Sequence, residues 1–153
     1  MAAVDYFLKL DGIKGESQDA KHKDEIDLES WTWGETQIGT QSAGGGGGAG
    51  KVNMQDFQFV MKLNTASPKL MKACATGQHI KSALLTCRKA GKEQQEFLKI
   101  TLTDLLVSSF QTGGSGNGAL IPMDSIALNY AKIEYEYKAQ KADGTLDGAI
   151  KAG

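Results

Sequence analysis

The sequence predicts a mainly β protein: a small β-barrel of two packed antiparallel sheets with bent strands and one flanking α-helix. Three observations lead to this fold class. Apolar and polar residues alternate with a period of two along several stretches, as they do in strands that bury one face. Three of these stretches change face partway along, which favours bent strands in a barrel or in orthogonally packed sheets. Only one stretch carries the signals of a helix.

The first two strands follow directly from this alternation. Tyr6, Leu8 and Leu10 share one face of a predicted strand, and Asp11-Gly12 supplies the turn after it. A second strand is predicted at residues 25–33. Both predicted strands lie within the first 33 residues of the chain.

The apolar pattern changes face within three predicted strands. The changes fall between residues 28 and 31, between 102 and 105, and between 130 and 133. A β-bulge has this effect, because it bends a strand so that its two halves bury opposite faces. We therefore expect a bulge at each of the three places.

The helix signal begins at Ser67-Pro68, a capping hydroxyl followed by proline at the first helical position, and ends at Gly77. Leu70, Met71 and Cys74 form one apolar stripe, so this helix should lie on the barrel and close one opening. Further strands are predicted at residues 52–63, 80–89, 96–110, 125–138 and, weakly, 146–150.

A glycine tract has the spacing of a phosphate-binding loop but lacks its context. Residues 44–52 read Gly-Gly-Gly-Gly-Gly-Ala-Gly-Lys-Val, and a phosphate loop needs a hydroxyl after the lysine and then a helix. Position 52 is valine and a strand pattern follows. The same tract also has the glycine spacing of a dinucleotide-binding motif, but that motif likewise requires a helix after it. We interpret the tract as part of an extended, flexible loop between two strands, at about residues 38–51.

Length and charge narrow the class of protein. At 153 residues, one domain covering 1–153 is expected. Seventeen Lys and Arg against 18 Asp and Glu leave a net charge of -1, so we expect no nucleic acid and no membrane as partners. The N-terminus has no signal-peptide pattern, and synthesis in the cytoplasm is predicted.

Cys74 and Cys87 lack the spacing of a metal or redox pair and are predicted to be reduced, mostly buried thiols.

Few residues suggest catalysis. His22 lies in a charged loop, His79 follows the helix, and no nucleophile motif accompanies either. Glu134 and Glu136 share a strand face, where a solvated or subunit-facing polar row is the better interpretation than a carboxylate pair. The acidic residues at 24–27 lack the oxygen count of a calcium loop. We predict that the chain is not an enzyme and has no metal site and no cofactor.

Trp31 and Trp33 lie on one side of their predicted strand. Burial in the core explains them, and an interface or small-molecule face is the other interpretation. A small-ligand-binding β-barrel, with these two residues lining a cavity, therefore stays open as an alternative function.

The sequence also resembles a known family along nearly its whole length. The matching stretches include Phe-Leu-Lys-Leu-Asp-Gly-Ile-Lys-Gly-Glu-Ser at 7–17 and Ser-Trp-Thr-Trp-Gly at 30–34. The others are residues 44–52, 68–74 with Gly77 and His79, 88–91, 98–104, 107–109, 112–116 and 141–144. The chain is identified by these residues as a member of the Hcp family, the haemolysin-coregulated protein that forms the tube of the bacterial type VI secretion machine.

This resemblance implies an assembly and a set of partners. It implies a homohexamer, a ring of β-barrels whose copies stack into a hollow tube. It also implies that the tube is propelled outward with a spike (VgrG-like) protein, that the sheath and effector proteins are further partners, and that the lumen carries and chaperones effectors. The protein would be exported without a signal peptide and secreted or delivered into target cells.

The resemblance also indicates which residues meet other copies. Ser115, in the loop at 113–118, is expected to face the lumen. Contacts between subunits or rings are expected at Gly44, Gly45, Gly46, Gly47, Gly48, Lys51, Glu16 and Ser17.

Overall fold

The computed structural model describes residues 4–37, 52–89, 95–116, 121–141 and 144–153. The strands and the helix of this part are β1 (Val4–Leu10), β2 (Ile26–Asp27), β3 (Ser30–Thr32), β4 (Glu35–Gln37), β5 (Val52–Met54), β6 (Phe57–Lys62), α1 (Ala66–Thr76), β7 (Ile80–Lys89), β8 (Glu96–Gly113), β9 (Met123–Gln140) and β10 (Leu146–Ala152). The helix found in these ranges has 11 residues, too few to cross a bilayer.

The predicted fold class is confirmed, with two antiparallel sheets of very unequal size. The larger sheet has eight strands in the order β2-β1-β7-β8-β9-β6-β3, with β10 also paired to β9, and it curls into a half-barrel. The smaller sheet is the β4–β5 pair. Phe7 and Leu8 are successive residues of β1, and both are buried. Because successive side chains of a strand point to opposite faces, both faces of β1 are covered.

The prediction of one continuous strand at residues 25–33 is wrong. It is divided into β2, which pairs with β1, and β3, which pairs with β6. The backbone N–H of Leu28 donates to Tyr6 at 3.0 Å, and that of Glu29 donates to Val60 at 2.8 Å. Two adjacent residues thus join strands near opposite ends of the sheet order, which the alternation of faces could not reveal.

The predicted strand at 52–63 is also divided, because β5 belongs to the small sheet and β6 to the large one. The break falls at Gln55 and Asp56. The Asp56 carboxylate accepts hydrogen bonds from Ser108 Oγ at 2.7 Å and Asn129 Nδ2 at 2.9 Å. These contacts fix the point where the chain leaves one sheet for the other.

The predicted change of face in β8 is confirmed, but its cause differs from the prediction. Leu102 and Leu105 are both buried, while Asp104 between them is exposed with a φ of 52°. The register with β9 is the same on either side of Asp104 and shifts only between Val107 and Ser109. A left-handed residue therefore turns this strand, and a bulge follows it.

The bulges predicted at the other two places are wrong. The change near residue 29 is the break between β2 and β3 described above. Near residue 131, β9 keeps one register with β8 from Leu128 to Tyr137. Ile133 is half-buried, whereas Tyr135 and Tyr137 are each 43% exposed, so the second half of β9 turns its aromatic face to solvent.

Helix α1 begins two residues earlier than predicted. Its N-cap is Thr65, and Ser67 is a buried residue of the first turn. Ser67 Oγ accepts from the Asn64 N–H at 3.0 Å and donates to Asp124 at 2.5 Å, so this hydroxyl links the helix to β9. The predicted end is confirmed: Gly77 adopts a φ of 66° and its N–H donates to Ala73.

The helix packs its apolar face against β8. Leu70 and Ala73 are buried, and Cys74 is half-buried. Met71 is 55% exposed, so its predicted place in the buried stripe is wrong. Cys87 lies in the core, where burial raises the pKa of its thiol to about 12.

Candidate assembly surface

The β4–β5 pair forms an arm that is fastened to β9 at its base. Trp33 Nε1 donates to the Tyr130 hydroxyl, and that hydroxyl donates to the Gln55 carbonyl at 2.8 Å. The Gln55 N–H in turn donates to Gly34 at 3.0 Å. Burial raises the pKa of Tyr130, which keeps its hydroxyl protonated as a donor. The base of the arm is therefore held by side chains that are half-buried.

One edge of β9 carries two different neighbours with a gap between them. Strand β6 pairs with residues 123–128 of β9, and β10 pairs with residues 135–140. Within the described ranges, no strand pairs with residues 129–134 on this edge. Backbone groups of a strand that lacks a neighbour are available to pair with another chain.

A largely apolar depression of about 640 Å³ lies beside this gap, and we call it the β9 groove. Its apolar walls come from the arm, from β9 and from the last residues of the chain. Val52 is 50% exposed and Met54 is 42% exposed, which is high for side chains of this type. The lining residues are Trp33, Glu35, Val52, Met54, Ala131, Lys132, Ile133, Tyr135, Ala152 and Gly153.

The polar rim of the β9 groove is an ion-pair network. Glu134 accepts from Lys151 at 2.9 Å and from Lys132 at 3.2 Å. Lys151 and then Lys132 lower the pKa of Glu134, and Glu134 raises the pKa of Lys151. This network joins β10 to β9 at the rim, where Glu134 belongs to a polar row of ion-paired side chains.

The residues predicted to meet other copies fall in different places. Glu16 is exposed, and its carboxylate accepts from the Thr65 N–H at 3.2 Å, at the start of α1. Ser17 is only 1% exposed, so the structure places it inside the single chain. Ser115 is exposed just beyond the end of β8. Gly44, Gly45, Gly46, Gly47, Gly48 and Lys51 lie outside the described residues.

Trp31 and Trp33 do not share one cavity. Trp31 stacks on Phe57 with ring centroids 6.0 Å apart, meets Tyr6 edge-on at 6.2 Å, and borders an open polar depression of about 460 Å³. Trp33 lines the β9 groove instead. This separation removes the geometric basis of a single ligand cavity walled by both tryptophans.

Sequence reasoning missed two features of the structure, one on this surface and one in the interior. The β9 groove depends on Met54, Ile133 and Ala152, which come from three strands far apart in the chain. A buried charged cluster around His22 and Arg88 was also missed. A signal for the cluster existed, because Arg88 is the only arginine and stands at the end of an apolar strand.

The half-barrel with one flanking helix is also the fold of solved type VI secretion proteins, which gives the class of protein that this chain resembles. A solved structure described as a type six secretion system protein has a TM-score of 0.91 and 31% identity, over 97% of this chain and 92% of that one. Hcp1 from Salmonella typhimurium has a TM-score of 0.78 and 36% identity, over 98% and 92% of the two chains.

Sequence comparison narrows this class to one family. Residues 7–137 match the family described as Type VI secretion system effector, Hcp. Protein hcp1 of Pseudomonas aeruginosa is 50% identical over 153 residues, which cover 99% of this chain and 94% of that protein. The chain belongs to the Hcp family, which confirms the resemblance seen in the sequence. This is a family of structural, secreted proteins and is not known as one of enzymes.

Proposed function

We propose that the chain is the tube subunit and exported component of a type VI secretion system. Six copies close into a ring, rings stack into a hollow tube, and the tube is propelled outward with a spike protein while its lumen carries and chaperones effectors. The chain acts without catalysis and is made in the cytoplasm. Membership of the Hcp family supports this role. The unpaired stretch of β9 beside the β9 groove is the observation in this chain that carries it.

The physical argument rests on what a single copy leaves exposed. An unpaired strand edge beside exposed apolar side chains favours association, because a neighbour can satisfy the backbone groups and remove the apolar area from water. Val52 and Met54 stand on the arm, so a neighbour that fills the β9 groove also contacts the arm. A closed ring needs a contact between two different surfaces of the chain, so that each copy presents one surface to the neighbour on one side and a different surface to the neighbour on the other side.

We assign the remaining predicted residues within this assembly. Glu16, which is exposed, and the glycine tract with Lys51 lie at contacts between copies. Ser17 contributes through the shape of its buried loop. Ser115, which is exposed beyond β8, faces the lumen.

The substitution Met54→Glu tests the β9 groove. Burial of a methionine side chain stabilises a contact by about 1.5–3 kcal/mol, and a carboxylate at the same place adds a desolvation cost. We expect the dissociation constant of each contact to rise more than about tenfold. Light scattering coupled to size exclusion should show wild-type protein at about six times its 16.3 kDa monomer mass and the variant at lower mass.

Met71→Glu is the matched control, because Met71 is also exposed but lies on α1, away from the β9 groove. It should leave the mass unchanged. A wild-type protein that stays monomeric at micromolar concentration contradicts the ring. Equal loss of mass in both variants contradicts the assignment of the β9 groove while leaving the ring in place.

A further inference from the structure

The loop that joins β1 to β2, residues 11–25, folds back on itself and is tied to the rest of the chain by buried charges. Gly15 and Ser17 donate backbone hydrogen bonds to Asp24 and Glu25 at 2.8 and 3.0 Å. Gly15 is needed here, because a Cβ at this position would lie 2.6 Å from the Glu25 carbonyl oxygen. The two sides of the loop are therefore packed together as one compact unit.

His22 is the side chain through which this loop reaches β8. Its Nδ1 lies 3.0 Å from both carboxylate oxygens of Glu25, and its Nε2 lies 2.8 Å from Glu96. The ring is stacked on Phe7 of β1, with centroids 4.4 Å apart and planes 9° apart. His22 is 7% exposed, so water cannot easily replace either carboxylate.

The number of protons that this geometry needs can be counted. A neutral imidazole has one N–H, so it can donate to only one of two carboxylates, and its other nitrogen then presents a lone pair to the second. An imidazolium donates to both. The arrangement of Glu25, His22 and Glu96 is thus satisfied when the histidine carries two protons.

The surrounding charges favour the same state. Asp19 of the loop lies near the ring, and the guanidinium of Arg88 lowers the pKa of Asp19 to about 2, with the His22 charge as a smaller contribution. Arg88 also contacts Asp5 of β1, and Lys99 of β8 lies 3.7 Å from Glu96. Asp27 of β2 is a further carboxyl group beside the cluster, and burial is the main cause of its raised pKa. Carboxylates outnumber cations in this set.

We propose that His22 is a proton-dependent clasp that fastens the β1–β2 loop to β1 and to the start of β8. When His22 is protonated, both carboxylates are satisfied and the loop is held. When it is neutral, one carboxylate faces a lone pair and the clasp opens. Histidine is the side chain that most often acts as a proton-dependent switch in proteins, and here the proton on one ring decides whether the loop is held.

The clasp has a second end at the helix. The same loop carries Glu16, whose carboxylate caps the N–H of Thr65 at the start of α1. Opening at His22 therefore loosens a contact between the loop and the helix as well. This property belongs to the single chain and does not depend on the ring proposed above.

Hydrogen exchange measured by mass spectrometry on the intact protein tests the clasp, after correction for the intrinsic effect of pH on exchange. We expect the protection of residues 14–25 to fall about tenfold between pH 6 and pH 8.5, the size of one charge-assisted hydrogen bond. His22→Gln should remove this pH dependence. His79→Gln is the matched control, because His79 is the only other histidine and pairs with Asp104 on the exposed surface.

Nitrogen-15 NMR of the two histidine rings in the wild-type protein tests the clasp without any variant. An imidazolium signal for His22 that gives way to a neutral signal together with the loss of loop protection supports the proposal. A His22 ring that is neutral at pH 6 while the loop is protected overturns it. Loop protection that is unchanged from pH 6 to pH 8.5 also overturns it.

Discussion

The guanidinium of Arg88 ties β7 to β1 and to the β1–β2 loop, and its removal should be costly. Its Nη1 and Nη2 donate to the two oxygens of Asp19 at 2.9 and 2.8 Å, and Nη2 also donates to Asp5 at 3.2 Å. The side chain is 3% exposed and lies over the Phe7 ring, 4.7 Å from its centroid. Breaking a buried pair by removing one partner costs about 3–5 kcal/mol.

Partial exposure of the acceptors sets where Arg88→Ala should fall in that range. The side chains of Asp19 and Asp5 are 20% and 38% exposed, so water can recover part of their lost interaction. We therefore expect Arg88→Ala to lower the free energy of unfolding by about 3 kcal/mol. Arg88→Lys keeps the charge but not the planar fork, and should cost about 1–2 kcal/mol.

The same ion pair predicts how the difference between wild type and Arg88→Ala changes with pH. Arg88 lowers the pKa of Asp19 from 3.8 to about 2, so the unfolded chain takes up this proton first as pH falls. The stabilisation is complete above about pH 4, near the unfolded pKa, and is lost as pH falls through about 2. The two proteins should therefore converge in stability between pH 4 and pH 2.

Urea unfolding followed by tryptophan fluorescence, repeated at several protein concentrations, measures these differences, since association would otherwise add to the apparent stability. An Arg88→Ala protein within about 1 kcal/mol of wild type at pH 7 would refute the reasoning. So would a lysine variant as unstable as the alanine variant, because the planar fork would then have no role.

Two further predictions concern the glycine tract and the thiols. Deletion of residues 45–48 should leave the single chain folded and weaken ring stacking more than ring closure, because a glycine run is costly to order without a partner; sedimentation of filaments against rings measures this, and an unfolded variant contradicts it. Alkylation of the native protein should label Cys74, which is half-buried, well before Cys87, whose thiol is buried with a pKa of about 12; rapid labelling of Cys87 would show that its strand opens.

The sequence was sufficient where local chemistry determined the structure. The end of α1 at Gly77 follows from its left-handed conformation, and the β7 strand at 80–89 follows from its apolar pattern. The start of α1 was misplaced, because Ser67 has the hydroxyl of a cap but donates to Asp124, 57 residues away. Alternation shows which face a residue occupies and cannot show which strand is its neighbour, so the division of residues 25–33 stayed hidden.

The candidate site was harder to predict for the same reason. His22 stands between lysines and acidic residues that predict a solvated loop, yet its decisive partner, Glu96, is 74 positions away. Phe7 alternates with Leu8 along β1 and shares its strand face with Lys9, yet it is buried, stacks on the His22 ring and lies under the Arg88 guanidinium. The β9 groove arises only where β6 ends and β10 begins along β9, a geometry fixed by two pairings distant in sequence.

The position of β1 in the sheet also constrains how the protein is made. From Val4 to Leu10, every residue of β1 pairs with β7, whose residues run from Lys89 back to Ala83. Strand β1 therefore leaves the ribosome long before β7, its main partner. During that interval the described contacts of the β1 backbone with β2 and its neighbours are few: two residue pairs with β2 and the hydrogen bond from Leu28 to Tyr6. The β7, β8 and β9 strands, by contrast, pair in order as they emerge, so the nascent chain should build its sheet from these strands outward and add β1 late.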